Sequence, residues 1–177
     1  ADFVVNDLDV HQFLPKDSLF DVSMKLHAHG EGWDVFAPET HFRITGVVDK
    51  LHYTTYRLSG YDLNATLYNH LLGASLIAQS PAMEFNARLD AKLKPNDVAA
   101  HLQVEVPKLD WQRLQLVETS FSTSHKFNVS FVSDLREKYI LDASMTDTSV
   151  KAPKKTFKTK DLYLGFATSS DSTHAYM

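Results

Sequence analysis

Two histidines spaced as His27-x-His29, with Glu31 and Asp34 just beyond, are the residues of this 177-residue chain best spaced to share a metal. If the stretch is a strand, alternate side chains share a face and the two imidazoles stand side by side. Zinc needs three or four converging N, O or S ligands, and the spacing supplies only this pair. Ser23 and Lys25 fall on the same face. A solvated polar face accounts for His27 and His29 more simply than a metal does, so no metal is assigned.

Other site chemistry is thinner still. The chain has no cysteine, which excludes disulfides, thiolate nucleophiles and Cys-ligated zinc. It shows no nucleophile elbow, no Gly-rich phosphate loop and no spaced carboxylate pair. Neither an enzyme nor a cofactor is therefore expected. Asn64-Ala65-Thr66 and Asn128-Val129-Ser130 match the glycan-acceptor pattern, but each sits inside a strand-like alternation where a chance match is the simpler reading. Lys151, Lys154, Lys155, Lys158 and Lys160 form a basic cluster that would attract anionic lipid headgroups, or would merely be a solvated connector. A net charge of −4 argues against nucleic acid as a partner.

The elements that would carry these residues are short and alternate with a period of two. Met83-Glu84-Phe85-Asn86-Ala87-Arg88-Leu89-Asp90-Ala91-Lys92-Leu93 is apolar at every odd position and polar at every even one. That is one strand with an oily face and a wet face. The pattern recurs at Phe20–Ala28, Phe42–Val48, Tyr61–Leu67, Leu102–Val106, Phe127–Phe131, Tyr139–Met145 and Leu162–Phe166. Leu58 is out of phase with Tyr61, which calls for a bulge or bend at Ser59-Gly60. Asn69-His70 and Lys94-Pro95-Asn96-Asp97 read as turns. Leu71–Ala78 is apolar on both faces, and its register cannot be assigned. Short helical turns are expected over 8–14 and 108–114.

About ten strands in sequence with no βαβ alternation predict an all-β, mainly antiparallel twisted sheet. No amphipathic helix is available to cover the oily face. A second sheet, closure into a barrel, or a curled open roll whose lining is covered by a ligand are the three solutions. Taken alone, the alternation favours a filled two-sheet core. Residues 1–150 read as one groove segment, 151–160 as a basic linker and 161–177 as the start of a further strand unit. The chain opens and closes inside strand-like patterning, so it is expected to be a piece of a longer protein. No run reaches the roughly 20 apolar residues of a spanning helix.

The run Phe42-Arg43-Ile44-Thr45-Gly46-Val47-Val48-Asp49-Lys50-Leu51-His52-Tyr53, followed by Tyr56-Arg57-Leu58 and Tyr61-Asp62-Leu63-Asn64-Ala65-Thr66-Leu67, resembles a unit of the TamB translocation-and-assembly proteins of the AsmA-like group. Phe13–Leu19 and Gly32–Thr40 resemble connecting segments of the Bacteroidetes branch of that family. Val106-Pro107-Lys108-Leu109-Asp110-Trp111-Gln112-Arg113-Leu114 is similar to its short Asp-Leu-x-x-Leu turn. The resemblance spans most of residues 8–166 through patterned strands, with no invariant chemistry. It implies a groove-shaped β structure, open along one side, crossing the periplasm from an inner-membrane anchor. It implies a role in carrying phospholipid to the outer membrane, in outer-membrane protein assembly, or in both. An assembly barrel protein would be met through parts outside this sequence.

On this reading phospholipid acyl chains lie along Phe20, Val22, Met24, Leu26, Leu63, Ala65, Leu67, Met83, Phe85, Ala87, Leu89, Phe127, Val129, Phe131, Leu162 and Leu164. Burying a methylene is worth about 0.8 kcal/mol, so a sixteen-carbon chain in water costs on the order of 10 kcal/mol. A carrier needs continuous apolar lining and few specific polar contacts. The alternative reading is a surface β-sandwich that binds carbohydrate or protein.

Overall fold

The computed structural model describes residues 2–9, 19–53, 56–169 and 172–176. Thirteen strands form one antiparallel sheet: β1 (Asp2–Asp9), β2 (Leu19–Glu31), β3 (His41–Tyr53), β4 (Tyr56–Leu58), β5 (Tyr61–Tyr68), β6 (Leu71–Gln79), β7 (Met83–Lys94), β8 (Asp97–Asp110), β9 (Ser122–Ser133), β10 (Tyr139–Ala152), β11 (Lys155–Lys158), β12 (Leu162–Ser169) and β13 (Ser172–Tyr176). The sheet order is the chain order, β1 through β13, except that β4 and β11 lie off the path against β3 and β10. First and last strands do not pair, so the sheet curls without closing into a barrel.

Alternation makes each strand two-faced, and tight turns fix which faces align. Tyr68 pairs with Leu71 across the two-residue turn Asn69-His70, whose φ values of 47° and 66° are both left-handed. That is the type I′ signature, and its twist matches the strands it joins. Lys94 pairs with Asp97 around Pro95-Asn96, with Asn96 at φ 60°. Once those pairs are set, the register of β6, illegible in its own residues, follows. Leu72, Ala74, Leu76 and Ala78 join the apolar face, while Leu71, Gly73, Ser75 and Ile77 join the other.

Irregularities line up in a band across the sheet. Met24 pairs with Val48 while Ser23 pairs with Lys50, which leaves Asp49 as an extra residue in β3. Beside it, the break expected at Ser59-Gly60 separates β4 from β5, with Gly60 at φ 75° and its N–H donating to the Val48 carbonyl at 3.1 Å. Further along, β8 carries its extra residue at Pro107, which has no N–H for the ladder, and β10 carries one beside Asp147 at φ 53°. Bulges bend strands and increase twist, so a row of them creases the whole sheet.

Of the short helical turn expected over 108–114, Lys108–Asp110 ends β8 and a single turn follows, with the Leu114 N–H donating to the Asp110 carbonyl at 3.1 Å. The Trp111 indole N–H donates to Thr123 Oγ1 at 3.0 Å and its ring stacks on Phe121, tying the turn to β9 instead of letting it wind on. Of the turn expected at 8–14, Leu8 and Asp9 belong to β1 and the rest lies outside the described residues. The stretch read as a linker over 151–160 holds the end of β10 and all of β11. Beyond it β12 returns to pair with β10 in the same register, so residues 162–169 extend the one sheet.

Candidate functional site: an open apolar sheet face

Cross-strand partners share a face, so the register converts separate alternations into continuous rows. One row runs Leu26, Gly46, Leu63, Leu76, Ala87, Val104, Phe127, Met145, Leu162 over nine strands. The next runs Ala28, Ile44, Ala65, Ala74, Leu89, Leu102, Val129, Ala143, Leu164. A third carries Phe42, Leu67, Leu72, Ala91, Ala100, Phe131, Leu141 and Phe166. A shorter one joins Met24, Val48, Tyr61, Ala78 and Phe85. Strands about 4.8 Å apart make a nine-strand row roughly 38 Å long, more than the ~30 Å hydrocarbon thickness of a bilayer.

Apart from Phe20, the residues predicted from sequence to line a groove fall on this face. Val22 continues it below Met24, and Met83 continues it beyond Phe85, paired with Leu109. Phe20 lies in β2, with its side chain outside the described residues. Absent from that prediction are Ile44, Leu72, Leu76, Leu102, Val104, Leu141, Met145 and Phe166, which the same alternation and the register add.

Among the described residues no second layer covers the face. Only Val22, Leu67, Ala78, Ala91 and Val98 of its apolar side chains are buried. At the two sides of the sheet it is open: Leu8 is 41% exposed, Leu162 55% and Leu164 51%. Aromatic rings meet edge-on or tilted along it, Tyr61 with Phe85 at 6.0 Å and His125 with Phe127 at 4.8 Å between centroids. Burial raises the Tyr61 pKa and lowers that of His125, disfavouring the charged form of each on this face.

The opposite face is polar and ion-paired. Arg88 Nε donates to Asp90 Oδ2 at 2.9 Å, Lys92 bonds Asp97, and Lys126 lies 3.4 Å from Glu105 and 3.3 Å from Asp147. His27 and His29 stand here opposite Thr45 and Arg43, and no third ligand-type side chain groups with them among the described residues. This face also carries a concavity of about 680 Å³ between Tyr68, Leu71, Lys92, His101, Ser130 and Val132. In it Asp90, His101 and Ser130 are neighbours on three successive strands, with His101 Nδ1 2.9 Å from Ser130 Oγ. His101 and Ser130 are 29 residues apart, and only the register brings them together.

Comparison with protein-family models, curated proteins and solved structures finds no match to this chain.

Proposed function

We propose that this chain is a non-enzymatic segment of a lipid conduit, whose apolar face carries phospholipid acyl chains between inner and outer membrane across the periplasm. Support for outer-membrane protein assembly belongs to the same reading, through parts of a longer protein. One observation carries the proposal: an apolar face that runs unbroken across nine strands and, among the described residues, has no second sheet or helix over it. A soluble protein rarely leaves more than a few hundred Å² of contiguous apolar surface open unless something binds there. Sliding along such rows, an acyl chain exchanges one set of methyl contacts for another at little cost, which suits transport better than storage. The polar face, laced with ion pairs, keeps the other side wetted.

Native mass spectrometry after gentle purification tests this directly. Co-purified phospholipid is expected on the wild-type chain, and Phe85→Glu or Leu89→Arg should abolish it while expression persists. Lipid retained at wild-type level with either charge in place would sink the reading. A second reading, a binding module for carbohydrate or protein, draws on the 680 Å³ concavity of the polar face, where exposed Tyr68 stands near the His101–Ser130 pair. It predicts that Tyr68→Ala abolishes ligand capture on a glycan array and that Phe85→Glu does not.

A further inference from the structure

At the end of the sheet below the crease, β10 and β11 form a hairpin, Ser149 to Ala152 pairing with Lys158 to Lys155 around Pro153-Lys154. Lys151, Lys154, Lys155, Lys158 and Lys160 are all exposed on it. Five of the chain's 18 lysines and arginines thus fall within ten residues that contain none of its 22 acidic ones. Asp161 follows immediately, and Asp147 is engaged by Lys126. Among the described residues none of the five lysines forms an ion pair. Phe157 stands among them, 49% exposed, with Lys155 Nζ 5.0 Å from its ring centroid. Through Val150, Thr123 and Leu109 it lies on a row that ends at Met83, at the lower margin of the apolar face.

Unpaired lysines around a half-exposed aromatic ring, on a molecule otherwise acidic, fit one kind of partner. We propose that the β10–β11 hairpin docks onto the surface of an anionic phospholipid bilayer, the lysines meeting headgroup phosphates and Phe157 entering the interface. Charge complementarity selects the surface: the acidic remainder of the chain is repelled from it, so the protein is oriented hairpin-first. A nucleic-acid duplex would use the lysines but, with its bases stacked inside, give Phe157 no apolar region to enter, which favours the bilayer over a duplex. Each lysine near such a surface is worth roughly a fivefold gain in partitioning, and the gain is screened within a Debye length.

Flotation with vesicles tests the proposal. The whole chain should bind phosphatidylcholine vesicles containing about a third phosphatidylglycerol, ignore pure phosphatidylcholine, and dissociate as salt rises toward molar. Lys154→Gln/Lys155→Gln/Lys158→Gln should cut partitioning on the order of a hundredfold. Phe157→Ser should weaken it at every salt concentration. All four positions are exposed, so the fold should survive, and an unchanged circular-dichroism melt checks this. The triple lysine variant should still co-purify phospholipid in native mass spectrometry, which separates this proposal from the conduit reading. Absence of binding, equal binding to both vesicle types, indifference to the triple substitution, or tighter binding to duplex DNA than to the anionic vesicles would each overturn it.

Discussion

His125 sits on the apolar face, edge-on to Phe127, and burial holds its pKa below the ordinary 6.5. Because the folded state resists protonation, the contribution to stability is fully present above the unfolded value. It is lost as pH falls from there through the depressed folded value. Histidine titration by NMR should give His125 a midpoint below that of the unfolded chain, and His125→Phe should flatten the acid side of the stability profile. Asp134 gives the opposite chemistry the same sign. Its carboxylate accepts the N–H groups of Arg136, Glu137 and Lys138 at 2.9, 3.0 and 2.9 Å, and these bonds hold its pKa below the usual carboxylate value. That loop is best ordered above the unfolded carboxylate pKa and loosens as pH drops through the folded one. Asp134→Asn should remove this acid dependence, seen as amide exchange in residues 135–138 that no longer accelerates at low pH.

At the scale of the element, turns decide register, and the turn with the sharpest demand is Asn69-His70. Both residues hold left-handed φ, which costs an ordinary L-residue about 1–2 kcal/mol and Asn or Gly less. Asn69→Ala should therefore lower urea-unfolding stability by about 1 kcal/mol, while Asn69→Gly should be close to neutral. A larger effect of the glycine variant would show that the turn is not setting the pairing of β5 with β6. Much of this level was legible in the residues themselves. Period-two alternation marks β2, β3, β5, β7, β9, β10 and β12 without help, and the phase slip at Leu58 and Tyr61 located the break at Ser59-Gly60. The illegible parts are those where the deciding partner is far away in sequence. In Leu71–Ala78, Gly73, Ser75 and Ala74 differ too little in polarity for one strand to reveal its own faces. Likewise the spacing of Leu109, Trp111 and Leu114 suits a helix, but Leu109 is claimed by the ladder to Thr123 and Trp111 by its bond to the same residue. A local pattern cannot show such a competitor.

For the molecule as a whole, the issue is whether the rows act as one surface. Alternation predicts that each strand has an oily side; the register shows that these sides coincide, and no single strand contains that information. What occupies the face is a further step, because a residue facing lipid and one facing a second sheet have the same composition. If acyl chains travel along the rows, every strand of a row must touch them, including positions such as Leu76 and Val104 that were not singled out from sequence. A photo-crosslinking amino acid placed in turn at Leu76, Ala87, Val104 and Phe127 should capture phospholipid at all four, since these are consecutive partners in one row. The same probe at Ile77, Asn86, Glu105 and Lys126, one residue away on the polar face, should capture none. Labelling confined to one or two strands would indicate a local pocket instead of a path. Labelling on both faces would mean nonspecific adsorption. A conduit requires the first pattern because a break of even one strand, about 4.8 Å, would expose roughly four methylenes to water and raise a barrier of about 3 kcal/mol to further movement.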